Sequence, residues 1–519
     1  MSAKVSRRRW LALTAVVLSA LVLGLDSTIL ITALPTLSAS LRATTDQLQW
    51  MTTAYLLALS GLLIPAGVLG DRLGRRRVML GALVVFGVSS VAASQMTTAN
   101  QLILMRAVMG VGGAFIMPIS LAVIPTIFSE QERPRAIAIG GAGMFLGLPF
   151  GPLVAGWLLT HFAWGSIFLI NAPFVVVALI GVWLFVPESR DPSARPLDLV
   201  GAGLAIGGVT SFVYGVIEQP QLGWSDPAVD ANLVSGPILL AGFTFWELRA
   251  RSPLVDLRLF ANPRFSWSIA VTVVMNFGLM GVLFVFTPFL QIVQGNDAQA
   301  TGVRLLPLIG GIVLGAAVSD RLLKRLGVRA MLSLGLATSA AGMALMSLVD
   351  SASGYGLLFV TLPMIGIGNA FALFTALNVI LEVLPASQTG AGSALTRTLQ
   401  QIGSSFGVAI MGSVLNNVYQ GHLAGGLTDV PVQFRAGAEG SVAGAAAIAS
   451  HLPGPAGAAI LVAARDAYTA GMSSVLQMSA TVMVLAAFLI AAFMRNRHAP
   501  VAARLDHIPS WAEAPVRAE

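Results

Sequence analysis

Fourteen apolar runs, each long enough to cross about 30 Å of hydrocarbon as a helix, recur along this chain. They lie near 10–33, 49–69, 77–96, 101–125, 136–159, 165–186, 198–218, 231–248, 266–292, 299–318, 329–349, 354–381, 396–418 and 468–494. In lipid every backbone N–H and C=O must pair within the protein, so only helices and closed barrels can span. Barrel strands would alternate in character over about ten residues, and the runs do not alternate. The expected fold class is an all-α membrane protein with short loops. Only 10% of the 519 residues are charged, against about 25% in soluble domains. That excludes a soluble globular chain and, with 56% hydrophobic residues, a disordered one.

Basic residues orient the helices. With the N-terminus in the cytoplasm, 25 of the 30 Lys and Arg fall in cytoplasmic loops, tails or adjoining helix ends, among them Arg7, Arg8 and Arg9. Three fall outside (Arg42, Arg435, Arg465) and two within helices (Arg106, Arg304). The positive-inside rule describes this bias, so 14 transmembrane helices with both termini cytoplasmic, in the cell membrane, are expected. The first run has the basic start and small residues (Ser38, Ala39, Ser40) of a signal peptide. It is longer than a signal core, and an uncut helix is expected. The net charge of +7 is scattered over short gaps, so no nucleic-acid partner is expected. With no cysteine and five scattered histidines, no disulfide, Fe–S cluster or metal site is expected.

One loop pattern occurs twice. After the second run the sequence passes through Gly67, Asp71, Arg72, Gly74, Arg75, Arg76 and Arg77. After the tenth it passes through Gly315, Asp320, Arg321, Lys324, Arg325, Gly327 and Arg329. Both combine Asp-Arg, a glycine and a basic cluster. The repeat divides the chain into a six-helix bundle (1–186), two added helices with linkers (187–264), a second six-helix bundle (265–495) and a tail (496–519). Repeated halves are how secondary transporters build a site between two bundles. Residues 419–467 form one long loop, rich in Gly and Ala, with short amphipathic stretches.

Asp26 is the only acid set well inside a run. A carboxylate there costs about 2.5–3.5 kcal/mol on insertion scales, and its protonation follows whatever lies beside it. A structural carboxylate satisfied by Ser27 or Thr28 is the plainer alternative. Arg106 stays charged and is the natural partner, unless it serves carbonyls of the first helix. Asp71, an acid among four arginines, suggests a salt-bridge latch between the bundles, with Gly67, Arg72, Gly74, Arg75 and Arg77 around it. The fifth run carries Gly147, Pro149, Gly151, Pro152 and Gly156, which suits a kinked, closely packed membrane helix. Walker, nucleophile-elbow and zincin motifs are missing from the sequence, so no enzyme is expected. No cofactor is expected either, and the energy source is a gradient.

These residues together resemble the fourteen-helix drug:proton antiporters of the major facilitator superfamily. Leu25 to Pro35 looks like that family's helix 1 motif, and Gln49, Trp50 and Tyr55 look like its helix 2 opening. Gly67 to Arg77 is similar to its loop 2–3 motif, Arg106 to Ala114 to its helix 4 motif, and Gly147 to Gly156 to its antiporter helix. Trp164, Phe168, Asn171 and Pro173 resemble its helix 6 entry. Arg397, Gln401, Gly403 and Gly407 resemble its helix 13. Met109 departs from the Gln common in the family, and Ala155 interrupts a usual Gly pair. The resemblance implies proton-driven efflux of lipophilic drugs, with the helix 1 acid as the proton or cation site.

A substrate pocket is expected near the midplane between the halves, lined by Asp26, Tyr55, Arg106, Met117, Asn276, Phe284, Asn369 and Phe374. One acid among apolar side chains suits neutral or monocationic amphiphiles. The expected partners are therefore a small amphiphilic substrate, protons and lipid, with the protein working as a monomer. A proton symporter importing a small nutrient is the alternative. Glu218, the intramembrane acid of the added pair, is expected at the water-exposed outer interface and to be dispensable.

Overall fold

A computed structural model of the chain describes residues 3–128, 132, 136, 150–190, 198–250, 253–254, 257–351, 353–383, 389–423, 432–451 and 455–494. Among them no strand occurs. The first group of helices is α1 (Ala3–Leu41), α2 (Thr45–Leu73), α3 (Arg75–Ala93), α4 (Ala99–Ile127), α5 (150–161) and α6 (Asn171–Phe185). The pair α7 (Leu199–Leu222) and α8 (Pro227–Glu247) follows. The last group is α9 (Pro263–Pro288), α10 (Leu306–Met346), α11 (Tyr355–Val383), α12 (Thr389–Leu423), α13 (Val432–Gly440), α14 (Val442–His451) and α15 (Pro455–Phe493).

Eleven helical stretches among the described residues are long and apolar enough to cross a membrane. One of them, Ala298–Met346, holds two of the sequence runs, and α10 within it breaks at Gly327, where φ is 79°. The run 396–418 is helical within α12, but Thr396, Arg397, Thr398, Gln400, Gln401, Ser404 and Ser405 dilute its hydropathy. Most of the run 136–159 lies outside the described residues, as does the tail from 495 onward.

The expected long loop is largely helix. α12 continues to Leu423, α13 and α14 follow, and α15 begins at Pro455 rather than near 468. Alanine-rich sequence favours helix without favouring lipid, so hydropathy alone did not reveal these turns. Helix starts are set by side chains elsewhere. Asp226 accepts from the backbone N–H groups of Ala228 (2.8 Å) and Val229 (3.3 Å), with Pro227 at the first helical position of α8.

Glycines set the close packing. A Cβ at Gly110 of α4 would lie 2.5 Å from the Tyr55 carbonyl of α2. In the last group, Gly403 and Gly407 of α12 lie against the backbone of Val273 and Phe277 in α9. Such contacts are how membrane helices associate when lipid supplies no hydrophobic driving force. The added pair divides in behaviour. α8 is mostly exposed. α7 sits at a seam, with Val209, Val213 and Ile217 packed among Leu57 of α2 and Ala409 of α12.

The first and last groups also bond to each other at the end where α1 meets α2. The Ser38 and Ser441 hydroxyls pair at 3.1 Å, and Thr45 donates to the Gly440 carbonyl at 3.0 Å. Gln49 donates from Nε2 to the carbonyls of Val408 (3.3 Å) and Ala409 (3.0 Å). Gln291 donates to the Thr32 carbonyl at 2.7 Å. Between them lies a cavity of ≈ 30 Å³, room for about one or two waters and too small for a drug. This end is closed.

Candidate functional site

Asp26 and Arg106 meet because three helices crowd together. Gly110 and Gly113 of α4 face Tyr55 on α2 and, for Gly113, Leu23 on α1. Arg106 stands one turn before Gly110 on the same face, so its guanidinium enters the gap between α1 and α2. There Nη1 donates to Asp26 Oδ2 at 2.7 Å, and Nε donates to the Met51 carbonyl at 3.1 Å. The guanidinium carbon lies 4.3 Å from the centre of the Tyr55 ring, within cation–π range. Asn171 of α6 donates from Nδ2 to the other oxygen of Asp26 (3.4 Å) and to Ser90 Oγ of α3 (3.0 Å). The Asp26 and Arg106 side chains are 3% and 2% exposed, so water does not screen them. Removing one partner of such a pair costs about 3–5 kcal/mol.

Ser27 donates back to the Leu23 carbonyl at 2.7 Å. The carbonyl that Arg106 serves belongs to α2, not to the first helix.

Around Asp71 the structure departs from expectation in one respect. Asp71 pairs with Arg75 at 2.7 Å, within the first group rather than across to the last. Glu188, just past α6, adds to the same cluster. It lies 3.6 Å from Arg77 and accepts from the Arg76 backbone N–H at 3.2 Å. The Arg75 backbone N–H donates to the Ser189 carbonyl at 3.0 Å. Gly74 makes the turn at φ 111°, which L side chains rarely adopt. Arg72 is exposed, and a Cβ at Gly67 would make only an ordinary contact with Pro118. The cluster thus clamps α2, α3 and the end of α6 together.

In α5, a Cβ at Gly151 would collide with the Thr28 hydroxyl and lie 3.2 Å from the Ile29 backbone nitrogen. This sets α5 against α1 near Asp26. A Cβ at Gly156 would lie 2.6 Å from the Ala298 carbonyl, and Gly302 packs on the Pro152 backbone. α5 therefore also reaches the segment between α9 and α10 in the last group. Gly147 and Pro149 lie outside the described residues.

Of the expected pocket, Asp26, Arg106 and Tyr55 come together. Met117 and Asn369 are buried, and Phe374 is partly buried. Asn276 is engaged with the Thr272 carbonyl at 2.8 Å. Phe284 lines the small cavity at the closed end, with Leu34, Pro35 and Asn416, and so stands apart from the ion pair. Glu218 is partly buried and accepts from Trp50 Nε1 at 2.8 Å, so it joins α7 to α2 rather than lying free in water. Sequence reasoning did not assign roles to Asn171, Met51 or Glu188. Asn171 had a signal, as part of the helix 6 resemblance. A main-chain acceptor such as Met51 has none. Among the described residues no group of three metal-ligating side chains is assembled.

Residues 16–408 match the profile of the Major Facilitator Superfamily. The multidrug efflux pump LfrA of Mycolicibacterium smegmatis is 32% identical over 496 residues, covering 94% of this chain and 97% of that protein. The tetracenomycin C resistance and export protein of Streptomyces glaucescens is 32% identical over 409 residues, covering 79% of this chain and 76% of that protein. The methyl viologen resistance protein SmvA of Salmonella typhimurium is 31% identical, covering 92% and 97%. The fold is also that of a bacterial homologue of the human lysosomal transporter Spinster, crystallised inward-facing and unoccupied (TM-score 0.69, 18% identity, 95% of this chain and 99% of that one). A match over most of the chain, joined to many apolar helices and a charged pair buried among them, identifies a multi-pass membrane transporter, and the chain belongs to the Major Facilitator Superfamily.

Proposed function

We propose that this protein exports small amphiphilic drugs or antibiotics across the cytoplasmic membrane in exchange for protons, by alternating access. The observation that carries the reading is the Asp26–Arg106 pair, 2.7 Å apart and shielded from water between three helices. Proton entry at Asp26 frees Arg106, which then weakens the packing of α1, α2 and α4 and favours the other end state. Efflux rather than uptake is supported by relatives named for resistance and export. In this reading 14 helices span, in two six-helix bundles with α7 and α8 added, and both termini are cytoplasmic. The protein acts as a monomer, and Asp71 with its neighbours is a latch that biases the two end states from within the first bundle. The bonds closing the α1–α2 end, taken as the outer end, belong to an inward-open state.

The test is the purified protein in liposomes with an imposed pH gradient and rhodamine 6G. Expected is uphill dye movement against the proton flow, abolished by a protonophore. Dye accumulating together with protons makes the protein a symporter and overturns the direction. Movement indifferent to the protonophore removes proton coupling.

A further inference from the structure

Asp26 is already neutralised by Arg106, so the buried acid does not present a free negative charge to a substrate. A different charge is left over on the facing group. Arg397 stands in the third turn of α12, partly buried. Its Nη1 donates to Gln400 Oε1 at 3.3 Å, and among the described residues no carboxylate lies within ion-pair distance of it.

The position of this arginine follows from helix geometry. Val408, whose carbonyl accepts from Gln49 of α2, lies eleven residues after Arg397, about three turns at 3.6 residues per turn. Both therefore stand on the face of α12 that looks to α2. Leu395 and Leu399, two residues to either side, stand on the opposite face of α12 and pack in a separate apolar cluster with Ile269 of α9. The register with Val408 sets Arg397 on the side of α12 that meets the first group.

Hydrogen-bond accounting gives the chemistry of the missing partner. A guanidinium can only donate, so Gln400 must turn its carbonyl oxygen to Arg397. That leaves Gln400 Nε2, on a side chain 5% exposed, buried without a partner. One buried donor remains without a partner, the Gln400 amide N–H₂, beside a guanidinium that no described carboxylate neutralises. A buried donor left unsatisfied is unfavourable, and one oxygen-rich group carrying negative charge serves both.

We propose that Arg397 and Gln400 form a substrate subsite at the α2–α12 seam for an anionic oxygen, a carboxylate, phenolate or sulfonate, on an amphiphilic compound. This rests on the efflux reading for its occupant and extends it from neutral and cationic drugs to acidic ones. A lipid headgroup carries the same chemistry. The seam faces protein, and the substrate is the occupant assigned.

The experiment compares two dyes with one xanthene ring system and opposite charge, fluorescein and rhodamine 6G. Equilibrium binding is measured to the full-length protein in phosphatidylcholine nanodiscs. Arg397→Gln is expected to weaken fluorescein binding by about tenfold or more, as for loss of a charge-assisted hydrogen bond, and to leave rhodamine 6G within about twofold. Arg397→Lys, which keeps the charge but not the fork, is expected to fall between. Equal losses for both dyes, or unchanged fluorescein binding in Arg397→Gln, overturn the subsite. So does loss of fluorescein binding by the wild type when phosphatidylglycerol is added, which assigns the site to lipid. Because binding is read without a gradient, failure of proton-driven export in liposomes leaves this result standing, and the reverse also holds.

Discussion

The two occurrences of the Asp-Arg-Gly-basic pattern have the same kind of backbone and different chemistry. Both turn on a glycine at positive φ, Gly74 at 111° and Gly327 at 79°. After α2 the charges are spent on one another: Asp71 on Arg75, Glu188 on Arg77 and on the turn itself. Within α10, Asp320, Arg321, Lys324 and Arg325 are exposed. The buried pair of Asp26 and Arg106 also lies in the first group. The comparison teaches that a repeat can preserve a hinge without preserving a clamp. Among the described residues, the Asp26–Arg106 and Asp71–Arg75 pairs both lie in the first group, and the second turn repeats the frame with its own charges exposed.

The strongest way to break this comparison is at the buried pair. Asp26→Asn is expected to abolish proton-driven export in liposomes, because the amide mimics the protonated acid and releases no proton. Arg106→Gln is expected to lower stability by about 3–5 kcal/mol, and the double variant to recover part of that, as measured by thermal unfolding in detergent. Uphill transport by Asp26→Asn would remove the pair from the coupling step.

Next come the turns. Gly327→Ala meets open space and only the backbone strain of positive φ, expected at about 1–2 kcal/mol. Gly74→Ala adds a Cβ placed 2.6 Å from Glu188 Oε1, so it is expected to be the more damaging in the same unfolding measurement. Equal effects would mean that the clamp contributes nothing.

Asp71→Asn is expected to slow turnover by about two- to fivefold, the range that a partly exposed ion pair supports. It should leave dye binding nearly unchanged, and Asp320→Asn should change neither by more than about twofold. Matching losses from both substitutions would erase the asymmetry. The smallest effect is expected from Glu218→Gln, since the amide oxygen can still accept from Trp50. Protons moved per substrate should stay unchanged, and a lowered ratio would make Glu218 a second proton site.

The eleven long apolar helical stretches among the described residues were legible because their signal is local. Twenty apolar residues must become a helix in lipid whatever their neighbours are. The repeat, the depth of Asp26 and its pairing with Arg106 were legible for a related reason, as a buried charge requires an opposite one. The helical stretch from Val432 to His451 was not legible, since Ala and Gly give a weak hydropathy signal. Nor was the role of α7. Sequence marks it only as one of two added helices, yet Val213 and Ile217 are wholly buried, packed with Leu57 of α2 and Ala409 of α12. Its sequence shows that it is apolar but not which helices its face meets.

Sequence by itself therefore determined the all-helical membrane class, the two related turns and the inventory of charges that chain chemistry must satisfy. Only the tertiary structure decided who satisfies whom. Asp71 turned to its own bundle, Asn171 and the Met51 carbonyl completed the ion pair, and Arg397 was left with a single amide. The physical reason is range. Hydropathy and backbone preference act within a few residues of chain, whereas a hydrogen bond depends on about 3 Å of space between segments that the sequence leaves as many as 403 positions apart, as with Ser38 and Ser441.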